Sequence, residues 1–296
     1  MIKRTLVFSS PSILSLKNEQ LVISMKEMPD EKRTVPIEDI GVVMIENPMV
    51  SVTIPLLNAL SDNNVAVVIC DQKGMPNAML QNLETNNCQC EVLRTQLAVG
   101  EVLRKQLWKQ IVEAKIKNQA NLLDKIGYKG DILKPYYSNV KSGDVDNREG
   151  IAARIYWTEL FGNGFVRDRT LPGINTLLNY GYSVLRAATA RALMSSGLLP
   201  ALGIFHHNRS NAFPLADDMM EPYRPFVDEI VFDLALQGNN ELNQDAKREL
   251  LQVLCCDTCF QKKTMRPLSI GLAMTMASLV KCYAKEQNRL SLPMLQ

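Results

Sequence analysis

Residues 91–123 read EVLRTQLAVGEVLRKQLWKQIVEAKIKNQANLL, and at this stretch the pattern of the chain becomes helical. Apolar residues recur with a period of about 3.6, as on one face of an amphipathic helix, and only Gly100 interrupts them. Further helices are predicted at about 147–161, 173–197, 240–256 and 267–287. The pattern therefore predicts an all-α C-terminal domain at 91–296. The recurring apolar residues are Val92, Leu93, Leu97, Val102, Leu103, Leu107, Ile111, Val112, Ile116 and Leu122.

The chain before this stretch is rich in short β-branched runs separated by turn residues, which is typical of a small sheet. Strands are predicted at 5–8, 21–24, 34–37, 41–45 and 65–69, with one short helix at 52–61. A segment near 74–90, with Pro76 and several asparagines, is predicted to be a linker. The predicted class is α+β: a small N-terminal β-sheet domain at 1–85 precedes the larger all-α domain.

Length and composition are those of a globular protein with two domains. The 296 residues are 46% hydrophobic and 22% charged. No run is long and apolar enough to span a membrane, and the N-terminus lacks a signal-peptide pattern, so we expect a cytoplasmic protein without membrane contacts. The seven cysteines are too irregularly spaced for a disulfide framework, and no histidine accompanies them as in a zinc site.

Clustered arginines, rather than the net charge of +2, indicate a nucleic-acid partner. Between residues 141 and 224 the chain carries one lysine and eight arginines. Guanidinium groups suit phosphate oxygens because their N–H groups form a planar fork. Candidate DNA-binding residues are Arg148, Arg186, Arg209 and Arg224.

Histidine chemistry is confined to an adjacent pair, His206 and His207, since the chain has no other histidine. Glu221 follows in an acidic segment, and carboxylates beside one imidazole suit Mg²⁺ or Mn²⁺. A structural alternative stays open, in which Asp217 or Asp218 is a helix N-cap and Glu221 completes a capping box.

Glu149 lies near the start of a predicted helix that Asp146 or Asn147 caps. Here too a structural role is open, because a glutamate in the first turn complements the helix dipole. The sequence contains no Walker lysine motif, and spacing ties neither histidine to a nucleophilic serine or cysteine.

Three ordered segments resemble one family, the CRISPR-associated protein one integrases, which insert new spacers into CRISPR arrays. They are NREGIAARIYW (147–157), NTLLNYGYSVLR (175–186) and residues 197–228, in which NAFPLADDMMEPYRP (211–225) is similar to the type II version. The resemblance implies that Glu149, His206 and Glu221 are metal ligands and that Asp218 is auxiliary. Spacing does not choose between the histidines; by the resemblance His206 aligns with the ligand, and His207 would support the site or contact a phosphate.

The resemblance also implies an activity and partners. A 3′-hydroxyl of prespacer DNA would attack a phosphodiester at a CRISPR repeat, with Mg²⁺ or Mn²⁺ as the cofactor. The protein would form a homodimer through its β domain and a heterohexamer with a small second adaptation protein. A type II system would add the RNA-guided nuclease and a DNA-clamping protein. The alternatives are a non-catalytic DNA-binding scaffold and a metal-dependent nuclease outside CRISPR biology.

Overall fold

A computed structural model describes residues 3–26, 31–72, 74–80, 82, 86–261 and 264–296. The chain divides into two compact units, Met1–Asn87 and Cys88–Gln296. The predicted boundary near residue 85 lies outside the described residues, as does part of the predicted linker at 74–90. The domain limits therefore stay predictions.

The N-terminal unit has two four-stranded sheets among its described residues, with strand orders β1-β5-β7-β8 and β4-β3-β2-β6. Each predicted strand overlaps an observed one. Three strands were not predicted: β2, β6 and β8, the last within the predicted linker. The elements are β1 Arg4–Phe8, β2 Ser12–Lys17, β3 Gln20–Met25, β4 Lys32–Pro36, β5 Ile40–Ile45, β6 Ser51–Val52, α1 Ile54–Asp62, β7 Ala66–Cys70 and β8 Pro76–Leu80.

Local sequence explains the tight turn between β2 and β3. Asn18 and Glu19 have φ angles of 50° and 56°, and positive φ at both central residues matches the twist of a hairpin. The hairpin packs Leu14 and Leu21 into an apolar core beside Leu56 of α1. Strands β1, β5 and β7 are parallel, and buried parallel strands have nearly continuous apolar sequences.

The C-terminal unit consists mainly of helices. The α+β class is confirmed with one correction, because a two-stranded antiparallel sheet, β9 and β10, interrupts the domain predicted to be all-α. Helices α4, α7 and α8 were not predicted. The elements are α2 Gln89–Leu97, α3 Glu101–Lys125, α4 Lys134–Tyr137, α5 Arg148–Phe161, α6 Ile174–Ser195, α7 Pro214–Met220, α8 Arg224–Leu236, α9 Gln244–Leu251, β9 Asp257–Phe260, β10 Thr264–Pro267 and α10 Leu268–Tyr283.

Helix α3 is 25 residues long and buries the apolar stripe that the sequence predicts, including Leu107, Ile111 and Ile116. Polar side chains interrupt the same buried surface. Asn118 donates hydrogen bonds to the carbonyl oxygens of Pro222 (2.7 Å) and Pro293 (3.1 Å). The helix thereby anchors the turn after α7, where a predicted ligand lies. Every helix among the described residues is too short or too polar to span a membrane.

Candidate active site

Three elements of the C-terminal unit bring opposite charges together. Lys115, on α3, places its ammonium Nζ 2.6 Å from Glu149 Oε1 on α5 and 2.5 Å from Glu221 Oε2. Glu221 lies in the 3₁₀ turn between α7 and α8. Lys115 and Glu221 are buried, and Glu149 is partly buried. Two of the predicted ligands therefore converge on a single cation.

The position of Glu149 is set by the residues just before α5. Asn147 is the N-cap, and its side-chain oxygen accepts a hydrogen bond from the Gly150 N–H at 3.2 Å. The Asp144 carboxylate accepts from the N–H groups of Arg148 (2.8 Å) and Glu149 (3.1 Å). These bonds satisfy N–H groups of the first turn that have no partner within the helix. The cap predicted at Asn147 is confirmed, and Asp144 adds a second one.

His206 is held by the fully buried carboxylate of Asp218. Asp218 Oδ2 accepts hydrogen bonds from the N–H groups of Ile204 (2.6 Å) and Phe205 (2.9 Å). Its Oδ1 accepts from the His206 N–H at 3.2 Å and lies 2.5 Å from His206 Nδ1. Because Nδ1 is engaged, Nε2 is the ring nitrogen left for another ligand. Asp218, predicted to be auxiliary, orients the imidazole.

The local electrostatics favour the charged form of His206. The hydrogen bond with Asp218 raises the pKa of His206, burial opposes this, and the negative charges of Asp218, Glu221 and Glu149 raise the pKa further. The charges of both converging carboxylates therefore act on the His206 ring. His207 is exposed, and its ring makes no hydrogen bond among the described residues.

An aromatic pair packs beside the imidazole. Phe205 stacks on Trp108 of α3 with ring centroids 4.3 Å apart and an interplanar angle of 2°. Trp108 also meets the His206 ring edge-on at 5.7 Å. Trp108 is buried, whereas Phe205 is 46% exposed. The pair shields one side of His206 from water, and the sequence pattern did not predict it.

The capping alternative for the acidic segment is wrong. Helix α7 begins at Pro214 with Phe213 at the N-cap position, so neither Asp217 nor Asp218 caps it. Glu221 lies after α7 and before α8, whose N-cap residue is Tyr223. The Glu221 carboxylate contacts the side chains of Lys115 and Arg224 instead of backbone N–H groups.

Arg224 holds the second oxygen of Glu221. Its Nε lies 2.9 Å from Glu221 Oε1, and its guanidinium lies 4.5 Å from the centre of the Tyr182 ring. Burial raises the pKa of Glu221, but the charges of Arg224 and Lys115 outweigh burial and lower that pKa to about 2. Burial likewise lowers the pKa of Lys115, while Glu149 and Glu221 raise it to about 12. At neutral pH Glu221 and Lys115 are therefore both charged.

Behind Arg224 lies a second buried carboxylate, Asp228. Its oxygens accept hydrogen bonds from the hydroxyl groups of Tyr156 (2.9 Å) and Tyr182 (2.5 Å). Burial raises the pKa of Asp228 to about 6, against the lowering effect of the two tyrosines. Because Tyr182 also contacts the guanidinium of Arg224, Asp228 supports the group that fixes Glu221.

The donor atoms suit a hard divalent ion. Two carboxylates and an imidazole with its other nitrogen held by a carboxylate are typical ligands of Mg²⁺ or Mn²⁺. No group of three His, Cys, Asp or Glu side chains among the described residues already surrounds one point. The Lys115 ammonium lies between Glu149 and Glu221. A cation thus already occupies the place that these carboxylates define, so the residues fit such an ion once that ammonium withdraws.

The four candidate DNA-binding arginines differ in their surroundings. Arg186 pairs with Asp217 at 2.7 Å, and Arg224 is partly buried against Glu221, so both have protein partners. Arg148 is partly exposed, and Arg209 is exposed. DNA contacts of all four stay predictions.

Sequence reasoning missed several groups of the site, above all Lys115 and Asp228. Lys115 had a detectable signal, because a lysine interrupts the apolar stripe of α3 between Val112 and Ile116. A charge on a buried helix face needs a partner. Asp228 had no such signal, since its tyrosine partners are distant in sequence.

Comparison with known proteins gives the family context of this site. A family model described as "CRISPR associated protein Cas1" matches residues 5–258. A protein of Neisseria meningitidis serogroup C (strain 8013), named CRISPR-associated endonuclease Cas1, is 38% identical over 299 residues, covering 99% of this chain and 96% of that protein.

Two solved structures share the fold. A casposase bound to integration product has a TM-score of 0.78 at 22% identity and covers 98% of this chain and 93% of that one. A Cas6-RT-Cas1–Cas2 complex has a TM-score of 0.74 at 20% identity and covers 99% of this chain and 36% of that one. The match to the family model and the long, 38% identical relative confirm the resemblance that the sequence segments carry.

Proposed function

This chain belongs to the Cas1 family of CRISPR-associated proteins, and on that premise we propose that it is a metal-dependent integrase that inserts prespacer DNA into a CRISPR array. A 3′-hydroxyl oxygen of the prespacer forms a new bond to a phosphorus atom at the repeat. The bond from that phosphorus to the repeat 3′-oxygen breaks, so the number of phosphodiester bonds is unchanged and no nucleotide is consumed. Water in place of the hydroxyl gives strand cleavage, an endonuclease activity.

The observation that carries this proposal is the convergence of Glu149 and Glu221 on one cation position beside the oriented imidazole of His206. These three residues would hold Mg²⁺ or Mn²⁺. When bound, such an ion polarises the phosphate and stabilises the charge that develops on its oxygens. Asp218 engages Nδ1 of His206 and so leaves Nε2 available, and Arg224 forms an ion pair with the other oxygen of Glu221.

The proposed partner is double-stranded DNA, both prespacer and CRISPR repeat. Arg209 is exposed, and Arg148 and Arg186 are partly exposed. Contacts from arginine to phosphates give affinity without reading bases. We further propose a homodimer that binds a small second adaptation protein to form a heterohexamer; one solved structure of similar fold is a Cas6-RT-Cas1–Cas2 complex. The RNA-guided nuclease and a DNA-clamping protein are proposed as further partners.

A strand-transfer assay tests this function. The purified protein and its small partner are incubated with prespacer duplex and a repeat-bearing plasmid, with Mn²⁺, Mg²⁺ or EDTA, and joined and cut strands are resolved on denaturing gels. The expected result is joined product with either ion and none with EDTA. Joining in EDTA would contradict the metal site. Cleavage without joining would indicate a nuclease, and DNA binding without reaction would indicate a scaffold.

A further inference from the structure

Lys115 carries a positive charge at the centre of the proposed metal site. Its ammonium contacts Glu149 Oε1 and Glu221 Oε2 at 2.6 and 2.5 Å. The lysine itself is only 9% exposed, so the charge is screened little by solvent. This buried lysine forms ion pairs with two carboxylates and thereby balances their charge.

Physical chemistry requires some cation between these carboxylates. Two like charges that face each other in a buried site repel strongly, because the effective dielectric constant is low. Arg224 neutralises one oxygen of Glu221, but it makes no ion pair with Glu149. Among the described residues, Lys115 is therefore the group that joins the two acids.

An ion held by Glu149 and Glu221 would need oxygens that Lys115 now occupies. The ammonium and the divalent ion cannot both occupy the small volume between the two carboxylates. The lysine side chain is a flexible four-carbon stem without the rigid fork of arginine, so its ammonium can change position by rotation of the side chain.

We propose that Lys115 is a built-in counter-cation: its ammonium holds Glu149 and Glu221 together while no divalent ion is bound, and it leaves their oxygens when the ion binds. This inference rests on the proposed metal site. It has two consequences. Lys115 stabilises the metal-free protein, and it weakens ion binding because each bound ion must displace it.

The test compares metal binding and stability in matched lysine variants of the full chain. Lys115→Met keeps the length and helix propensity of the side chain but removes its charge. Lys117→Met is the control, because Lys117 lies two residues further along α3 and lines a different surface with Met274 and Arg289. Mn²⁺ affinity is measured by calorimetry, and urea unfolding is followed with and without Mn²⁺.

The expected result is that Lys115→Met binds Mn²⁺ about 10-fold more tightly or better, since removal of one partner leaves buried charges that the ion compensates. The metal-free variant should unfold at lower urea than the wild-type protein. Its gain in stability with Mn²⁺ should be larger, because stabilisation by a ligand grows with affinity. Lys117→Met should match the wild-type protein in both measurements.

A second variant keeps the proposal testable if Lys115→Met does not fold without the ion. Lys115→Gln has a neutral donor in place of the ammonium and should also bind Mn²⁺ more tightly than the wild-type protein. Equal or weaker Mn²⁺ binding by the Lys115 variants, with clear binding by the wild-type protein, would overturn the counter-cation role alone. Absence of Mn²⁺ binding in the wild-type protein and in all variants would contradict both the proposed metal site and the displacement of Lys115.

Discussion

Replacement of Asp218 by asparagine should loosen the loop that carries His206. The carboxylate accepts from the N–H groups of Ile204 and Phe205 with one oxygen, and from the N–H and Nδ1 of His206 with the other. An amide has one acceptor oxygen, so one of these two donor pairs would face an NH₂ group. An unsatisfied buried donor costs about 1–3 kcal/mol, so Asp218→Asn should lower the free energy of unfolding by roughly 2–6 kcal/mol.

The assay is urea unfolding together with an NMR titration of His206. Asp218 raises the pKa of His206. The interaction between the two side chains therefore stabilises the protein below the ordinary histidine pKa of about 6.5, and this stabilisation is lost as pH rises through the pKa of His206 in the folded state. The stability deficit of Asp218→Asn should therefore be larger at acidic than at alkaline pH, and the His206 pKa should fall. Asp217→Asn is the matched control, since Asp217 pairs with Arg186. An unchanged His206 pKa in Asp218→Asn would refute the reasoning.

Three further comparisons test other residues of the site and of its surroundings. Burial raises the pKa of Asp228 to about 6, above its unfolded value, so the wild-type protein should lose roughly 3 kcal/mol of its free energy of unfolding as pH rises from 4 to 8. Asp228→Asn should remove this pH-dependent loss, which urea unfolding measures. An unchanged pH dependence in the variant would contradict the prediction. Gly203→Ala would place a Cβ 2.3 Å from the His206 carbonyl oxygen, whereas the Cβ of Gly164→Ala would meet nothing within 4 Å. Gly203→Ala should therefore reduce the rate of strand transfer by about 10-fold or more, and Gly164→Ala should leave it unchanged. Equal rates in the two variants would contradict the steric clash. His206→Ala should lose Mn²⁺ binding in calorimetry, whereas His207→Ala should keep it and lose about 10 to 100-fold of activity at most; the reverse pattern would exchange their roles.

The parts of the fold that sequence predicts are those with a strong local pattern. The apolar period of α3 continues through buried Leu107, Ile111 and Ile116, and Gly100 lies at the break between α2 and α3. Helices α7 and α8 were missed because both contain prolines, which in a sequence typically indicate turns or loops. Pro214 and Pro225 stand in the first turns of these helices, where proline is tolerated because the N–H it lacks has no partner there.

The candidate site was predicted only in part, for a similar reason. In the sequence alone, a structural role was open for both Glu149 and Glu221, and the resemblance to a family singled them out. Lys115 precedes Glu149 by 34 residues and Asp228 follows Tyr156 by 72. Such contacts arise from tertiary packing, which local patterns do not encode. The β9 and β10 pair was missed because the predicted helix at 240–256 ran up to its first strand.

The most direct test of the central claim is the rate of strand transfer by Glu149→Gln in Mn²⁺, with DNA affinity measured on the same preparation. Glutamine keeps the size of the side chain but removes the charge that would hold the ion, and lost stabilisation of the transition state is worth several kcal/mol. We predict that joining falls by about 10³-fold or more while the affinity for prespacer duplex stays near that of the wild-type protein. Joining at the wild-type rate would contradict the assignment of Glu149 as a ligand and with it the proposed metal site.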